Sequence, residues 1–268
     1  MTRLGFIGGG NMAEALIAGI IKAKLVEPGR IYVSDIKDER WKHLTARYKV
    51  LGTRDSAEVA RECDTILLCV KPQNIRQVLE EIAGNVGDHL VITIAAGVSI
   101  KTVEGKLGRA VPVIRCMPNT PASIMEAATG IARGAHATSQ HVDTVLKIFN
   151  SIGTAVVVDE SKMDAVTAVS GSGPAYVFYM IEALVEAGVE QGLAPADARE
   201  LAVQTVCGAS RMASMMVEDP AELRKKVTSP GGTTEAAIKV LEEREWKNIM
   251  HEAVKAARVR SEELAQAS

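Results

Sequence analysis

Short, nearly unbroken apolar runs alternate with amphipathic stretches over the first part of the chain. Leu4–Ile7, Ile31–Ser34, Thr65–Val70, Leu90–Ala95 and Val111–Cys116 are such runs. A run without polar alternation marks a strand buried on both faces. Between them, Met12–Ala23, Asp38–Tyr48, Gln73–Ala83 and Ile100–Leu107 carry the period of helices packed along one side. Strand–helix–strand order of this kind predicts an α/β Rossmann-type domain, a doubly wound parallel sheet, over residues 1–159. The run Ala155–Val158 closes it.

The pattern then changes. Residues 160–268 hold no convincing strand, and Pro174–Gln191, Pro195–Val217, Thr234–Glu243 and Trp246–Ala265 read as helices. The first has Pro in its opening turn and an apolar stripe of Val177, Ile181, Leu184 and Val185. Gly188, Gly192, Ala202 and Gly208 would let helices approach closely. Aromatic residues are only 3% of the chain, so an all-α domain of this size struggles to bury enough surface alone. A C-terminal dimerisation domain, and hence a homo-oligomer, follows.

Charge narrows the partners. A formal net charge of −2 with interspersed signs, and few aromatics for base stacking, argue against a nucleic-acid surface. Cys63, Cys69, Cys116 and Cys207 are widely spaced, with no Cys-x-x-Cys pair and no His at ligand spacing, so no metal site is expected. Reduced cysteines, no leader pattern and no apolar stretch of membrane-spanning length give a cytoplasmic expectation.

Gly8-Gly9-Gly10-Asn11-Met12-Ala13 joins the first strand to the first helix. In this Gly-x-Gly-x-x-Ala, Gly8 allows the tight turn, Gly10 admits a pyrophosphate and Ala13 keeps helix and strand close. The anion would sit on the helix N-terminus. Asp35 ends the second strand, where a carboxylate accepts from both ribose hydroxyls and disfavours a 2′-phosphate, leaning toward NADH. Lys37 and Arg40 follow it and leave NADPH open.

Three further strand ends fall on the same edge: Cys69-Val70-Lys71-Pro72, Ala95-Ala96-Gly97 and Met117-Pro118-Asn119-Thr120-Pro121. Together they suggest a trough for a flat ring. The helical half offers Ser170-Gly171-Ser172-Gly173-Pro174 and Ser229-Pro230-Gly231-Gly232-Thr233-Thr234, each read as a Gly-rich cap before a helix and so as part of a substrate anion site.

With Arg115-Cys116 and Ala175-Tyr176 added, these segments closely resemble pyrroline-5-carboxylate reductase, in order and over nearly the whole chain. The resemblance implies hydride transfer from NADPH or NADH to the C=N carbon of 1-pyrroline-5-carboxylate, the last step of proline synthesis. It implies a swapped homodimer, often assembled into a larger ring, with each site between one subunit's nucleotide domain and its partner's helical domain. Gly8, Gly10, Asn11, Met12, Asp35, Ser56, Cys69, Val70, Lys71, Pro72, Ala95, Ala96, Gly97 and Asn119 would contact the cofactor. Ser229, Gly231, Gly232, Thr233 and Thr234 would hold the substrate carboxylate, with Glu160 and Val227 lining the pocket. Thr234 and Glu218 are the candidate catalytic residues. The sequence departs from the family in having Val217 where some relatives place an acid, and Lys226 at another expected cofactor contact. That leaves Glu218, solvent or an already protonated imine as the proton source. Two rival readings are a β-hydroxyacid or imine reductase and a non-catalytic nucleotide sensor. The first needs a catalytic Lys on a helix after the sheet, and Lys162 lies outside such a motif.

Overall fold

The computed structural model describes residues 3–108 and 110–266, the side chain of Gln266 excepted. Eight strands form one sheet: β1 (Leu4–Ile7), β2 (Ile31–Ser34), β3 (Leu51–Thr53), β4 (Thr65–Leu68), β5 (Leu90–Thr93), β6 (Val113–Met117), β7 (Ala127–Arg133) and β8 (Gly153–Val157). Their order is β3-β2-β1-β4-β5-β6-β7-β8. Every pair is parallel except β6–β7, in keeping with the doubly wound parallel sheet read from the sequence. Strand order reverses beside β1, where β2 lies on one side and β4 on the other; ligands of doubly wound sheets bind beyond such a switch point.

Helices α1 (Asn11–Lys22), α2 (Asp38–Tyr48), α3 (Ser56–Glu62), α4 (Ile75–Ile82), α5 (Ile100–Leu107) and α6 (Ser139–Asn150) cover the sheet. Phe6, Leu67, Ile92 and Ile114 belong to one fully buried layer, and Ile7, Ile66, Leu68, Val91 and Val113 to the other. Each such side chain contributes about 1.5–3 kcal/mol on burial. This two-sided burial is why the strands read as unbroken apolar runs. Among the strands and the helices that cover them, β3, α3, β7 and α6 escape the sequence pattern. β7 reads Ala-Ala-Thr-Gly-Ile-Ala-Arg, too small-sided for a strand signal. Instead, Gly130 lets Val166 pack close, since a β-carbon there would stand 2.6 Å from it.

The chain divides into two compact units. One runs through Ser172 and takes up the chain again from Ala256; the other is Gly173–Lys255. The break therefore falls later than the 159/160 boundary read from the sequence. The reason is that α7 (Met163–Val166) and the following turn are anchored on the sheet, with Met163 and Ala168 fully buried. Ser261 Oγ donates to Asp164 Oδ1 at 2.7 Å, tying the end of the last helix to the same unit.

The second unit holds α8 (Gly173–Glu190), α9 (Pro195–Met215), α10 (Pro220–Lys226), α11 (Thr233–Glu243) and the start of α12 (Trp246–Gln266), up to Lys255. Gly188 allows the α8–α9 approach: a β-carbon there would lie 3.2 Å from that of Ala198. Gly192 serves the turn instead, at φ +95°, and a β-carbon on Gly208 would meet nothing. Only Ala198 and Ala202 of this unit are buried among the described residues. No helix of the described residues is long and apolar enough to cross a membrane.

Candidate functional site

At the switch point the two glycines of the first loop do different jobs. Gly8 has φ +99°, and a β-carbon there would stand 2.7 Å from the Cys69 carbonyl oxygen. The fold itself demands glycine. Gly10 sits at φ −73°, ψ −175°, an extended conformation any residue adopts, and a β-carbon there would meet nothing within 4 Å. The fold leaves that space for something else. Gly10 is also the N-cap of α1 and has no side chain to satisfy the first amides, so these point to an open cleft. A diphosphate fits both features.

The cleft measures about 450 Å³ and is lined by Gly8, Gly10, Asp35, Ser56, Cys69, Val70 and Lys71 among others. Seven residues expected at the cofactor thus share one cavity. Sequence reading missed Ile36, Asn74 and Gln77, which line it too. Ile36 is 79% exposed, an apolar face suited to a planar base. Its signal was an isolated Ile in the polar turn Asp35–Asp38.

The Asp35 carboxylate is fixed from two sides: Oδ2 accepts from Gly9 N and Oδ1 from Lys37 N, both at 2.8 Å. It faces the cleft as an oriented anion. Arg40 lines the same cavity, but its Nε donates to Gly9 O at 2.9 Å and a terminal nitrogen to Glu14 Oε2 at 3.1 Å. Glu14 also meets His43 Nε2 and Arg47, each at 3.1 Å. Burial raises the Glu14 pKa, yet the hydrogen bonds from His43 and Arg40 outweigh it and hold the carboxyl below its usual range.

The other strand ends are more structural than the sequence suggested. Burial pushes the Cys69 thiol up to about 12 and Cys116 well above its ordinary value, so neither is a nucleophile. Ala95 is buried, and Gly97, at φ +73°, lies against Leu264 and Ala265 of α12; Ala96 alone of the three is exposed. Asn119 is oriented by the fold, donating to Ser170 O and accepting from Ala128 N, both at 2.9 Å. Glu160 Oε1 accepts from Ile100 N at 2.7 Å and lies 3.5 Å from buried Arg115, so it anchors the start of α5.

In the region of the second unit, two sequence readings need correction. Ser170–Gly173 is no exposed cap. Thr167–Gly171 is a π-turn linking α7 toward α8, with Ser172 N bonded to Thr167 O at 2.8 Å and Ser170 Oγ to Val166 O at 2.9 Å. The Ser172 amide and the Ser170 hydroxyl are thereby spent within the turn. Glu218 is paired with Lys226, whose hydrogen bond holds the carboxyl below its usual range. Ionised at neutral pH, it is unsuited to donate a proton.

The Ser229–Thr234 segment keeps the expected geometry. Gly231 turns at φ +70°, Gly232 N closes on Ser229 O at 3.0 Å, and Gly232 caps α11 with no side-chain bond to the first amides. Glu235 accepts from Gly231 N at 2.8 Å. Exposed Val227 ends α10, a helix the sequence pattern missed; Asp219 caps it by accepting from Ala221 N and Glu222 N. Among the described residues no group of three His, Cys, Asp or Glu is placed to hold a metal.

Comparison with known proteins covers both units. Residues 160–264 match the family described as pyrroline-5-carboxylate reductase dimerisation. Residues 3–97 match the family described as NADP oxidoreductase, coenzyme F420-dependent. A pyrroline-5-carboxylate reductase of Methanosarcina acetivorans is 44% identical over 98% of each chain. A solved pyrroline-5-carboxylate reductase from Coxiella burnetii covers 98% of each chain at 38% identity, with a TM-score of 0.94. The Plasmodium falciparum pyrroline carboxylate reductase, solved with NADP bound, covers 98% of each chain at 31% identity, with a TM-score of 0.87.

Proposed function

The chain belongs to the pyrroline-5-carboxylate reductase family, and from that premise we propose that it reduces the C=N bond of 1-pyrroline-5-carboxylate to give L-proline. A reduced nicotinamide dinucleotide supplies the hydride when bound; this chain's residues bind, orient and exclude water. Gly8, Gly10, Asn11 and Met12 hold the diphosphate, Asp35 and Ser56 the adenosine ribose, and Cys69–Pro72 with Ala96 the remainder. The observation that carries this reading is Gly10, a glycine whose backbone and surroundings do not require one.

The substrate's carboxylate goes to the uncapped first turn of α11, with Ser229, Thr233 and Thr234 supplying hydroxyls. Fixing that anion sets the ring's position, which is most of the catalysis such a reaction needs. The imine nitrogen must carry a proton before its carbon accepts hydride. With Glu218 ionised, we assign that proton to the substrate, which enters as an iminium.

The open apolar faces of the helical unit support pairing with a second copy, whose Ser229–Thr234 turn completes the site; dimers then assemble into a larger ring. Fixed Asp35 favours NADH over NADPH. The four free cysteines suit a reducing compartment, the cytoplasm. The test is imine-dependent oxidation of NADH and of NADPH, followed at 1-pyrroline-5-carboxylate concentrations spanning saturation. Turnover with a better kcat/KM for NADH is expected. Dinucleotide binding without turnover would contradict the reading, as would a preference for open-chain hydroxyacids.

A further inference from the structure

We propose that Glu14 is a cofactor-specificity residue: by holding Arg40 it denies the adenosine 2′-phosphate its cation and so favours the dinucleotide with a free 2′-hydroxyl. The inference rests on the dinucleotide reading above and concerns a residue that lies outside the lining of the cleft.

Arg40 is the side chain best suited to a 2′-phosphate. It lines the cleft with Asp35, and a guanidinium grips phosphate bidentately. Yet two of its donors already have partners, Nε on Gly9 O and a terminal nitrogen on Glu14, and these hold the guanidinium toward α1. The ion pair is partly shielded, with Arg40 28% and Glu14 18% exposed along their side chains. Glu14 is itself held by His43 and Arg47 from further along α2. Swinging Arg40 toward a ligand would leave a half-buried carboxylate with one partner fewer. Lys37 and Lys71 also line the cleft, against the carboxylates of Asp35, Glu39 and Glu81. The balance at the ribose is therefore negative.

Equilibrium titration of NAD⁺ and NADP⁺ into the full chain by calorimetry tests this without imine or turnover. A failure of imine reduction would leave this result readable. Both ligands share the diphosphate, so their affinity ratio isolates the 2′-phosphate. Glu14→Gln is expected to shift the ratio toward NADP⁺ by about tenfold, the scale of one freed charge-assisted bond. Adding Arg40→Gln should abolish the shift. On the native background, Arg40→Gln alone should move the ratio less than about twofold. A selective loss of NADP⁺ in that single variant would overturn the proposal, because Arg40 would then already serve the phosphate. An unchanged ratio in folded Glu14→Gln would overturn it equally. If Glu14→Gln does not fold, the Arg40→Gln titration decides alone.

Discussion

In the sheet unit Phe6, Leu67, Ile92 and Ile114 are closed over completely, while in Gly173–Lys255 Phe178, Tyr179, Leu201 and Met215 stand 59%, 75%, 57% and 80% exposed. Both regions are rich in apolar residues. One has a finished core and the other has only Ala198 and Ala202 buried among its described residues. So many exposed large apolar side chains in one unit suit an interaction surface, and the unit matches a dimerisation family. The difference is a division of labour: the first unit carries a cleft shaped by its own backbone, and the second leaves its apolar side chains open, as suits a dimerisation domain.

The contrast can be broken most sharply at Gly10. Gly10→Val should fold normally, its melting temperature within about 2 °C of the parent, because the space around it is open. NADH affinity should fall by roughly a thousandfold or more, since the valine fills the place of the diphosphate. Next in size, Leu67→Ala in the closed core should cost about 2–5 kcal/mol in denaturant unfolding. Phe178→Asp on the open helical face tests the other half. It should convert dimer to monomer in light scattering and lower kcat/KM for the imine by about a hundredfold, as losing one buried aromatic anchor does. NADH affinity should be nearly unchanged. Smallest, Thr234→Ala should raise KM for the imine about tenfold, the value of one hydrogen bond to a charged group. KM for NADH should stay constant; unchanged imine kinetics would remove Thr234 from the site.

What the sequence made legible follows the same division. The β1–loop–α1 unit could be read residue by residue, because Gly8 and Gly10 are demanded by local backbone and ligand room. The buried strands could be read because two-sided burial leaves no polar alternation. β7 and α6 could not be, since Ala127–Arg133 has small side chains whose strand state is imposed by its neighbours. Ser170–Gly173 looked like a capped loop because its composition fits one; only the bonds to Val166 and Thr167 reveal a π-turn. The bonds that orient Asn119 and Glu160 could not be read either, since their partners Ser170, Ala128 and Ile100 lie nine to sixty residues away. The Glu14–Arg40 pair joins two helices 26 residues apart, and no local pattern announces it.

The active site proposed above joins one copy's nucleotide cleft to another copy's Pro-Gly-Gly-Thr turn, and subunit complementation measures that directly. Gly10→Val and Thr234→Ala chains, co-expressed with different tags and purified as mixed dimers, would be assayed at imine well below its KM. Shared sites predict that each mixed dimer regains one intact site and far exceeds both parents. Verified mixed dimers no more active than the better parent would contradict it.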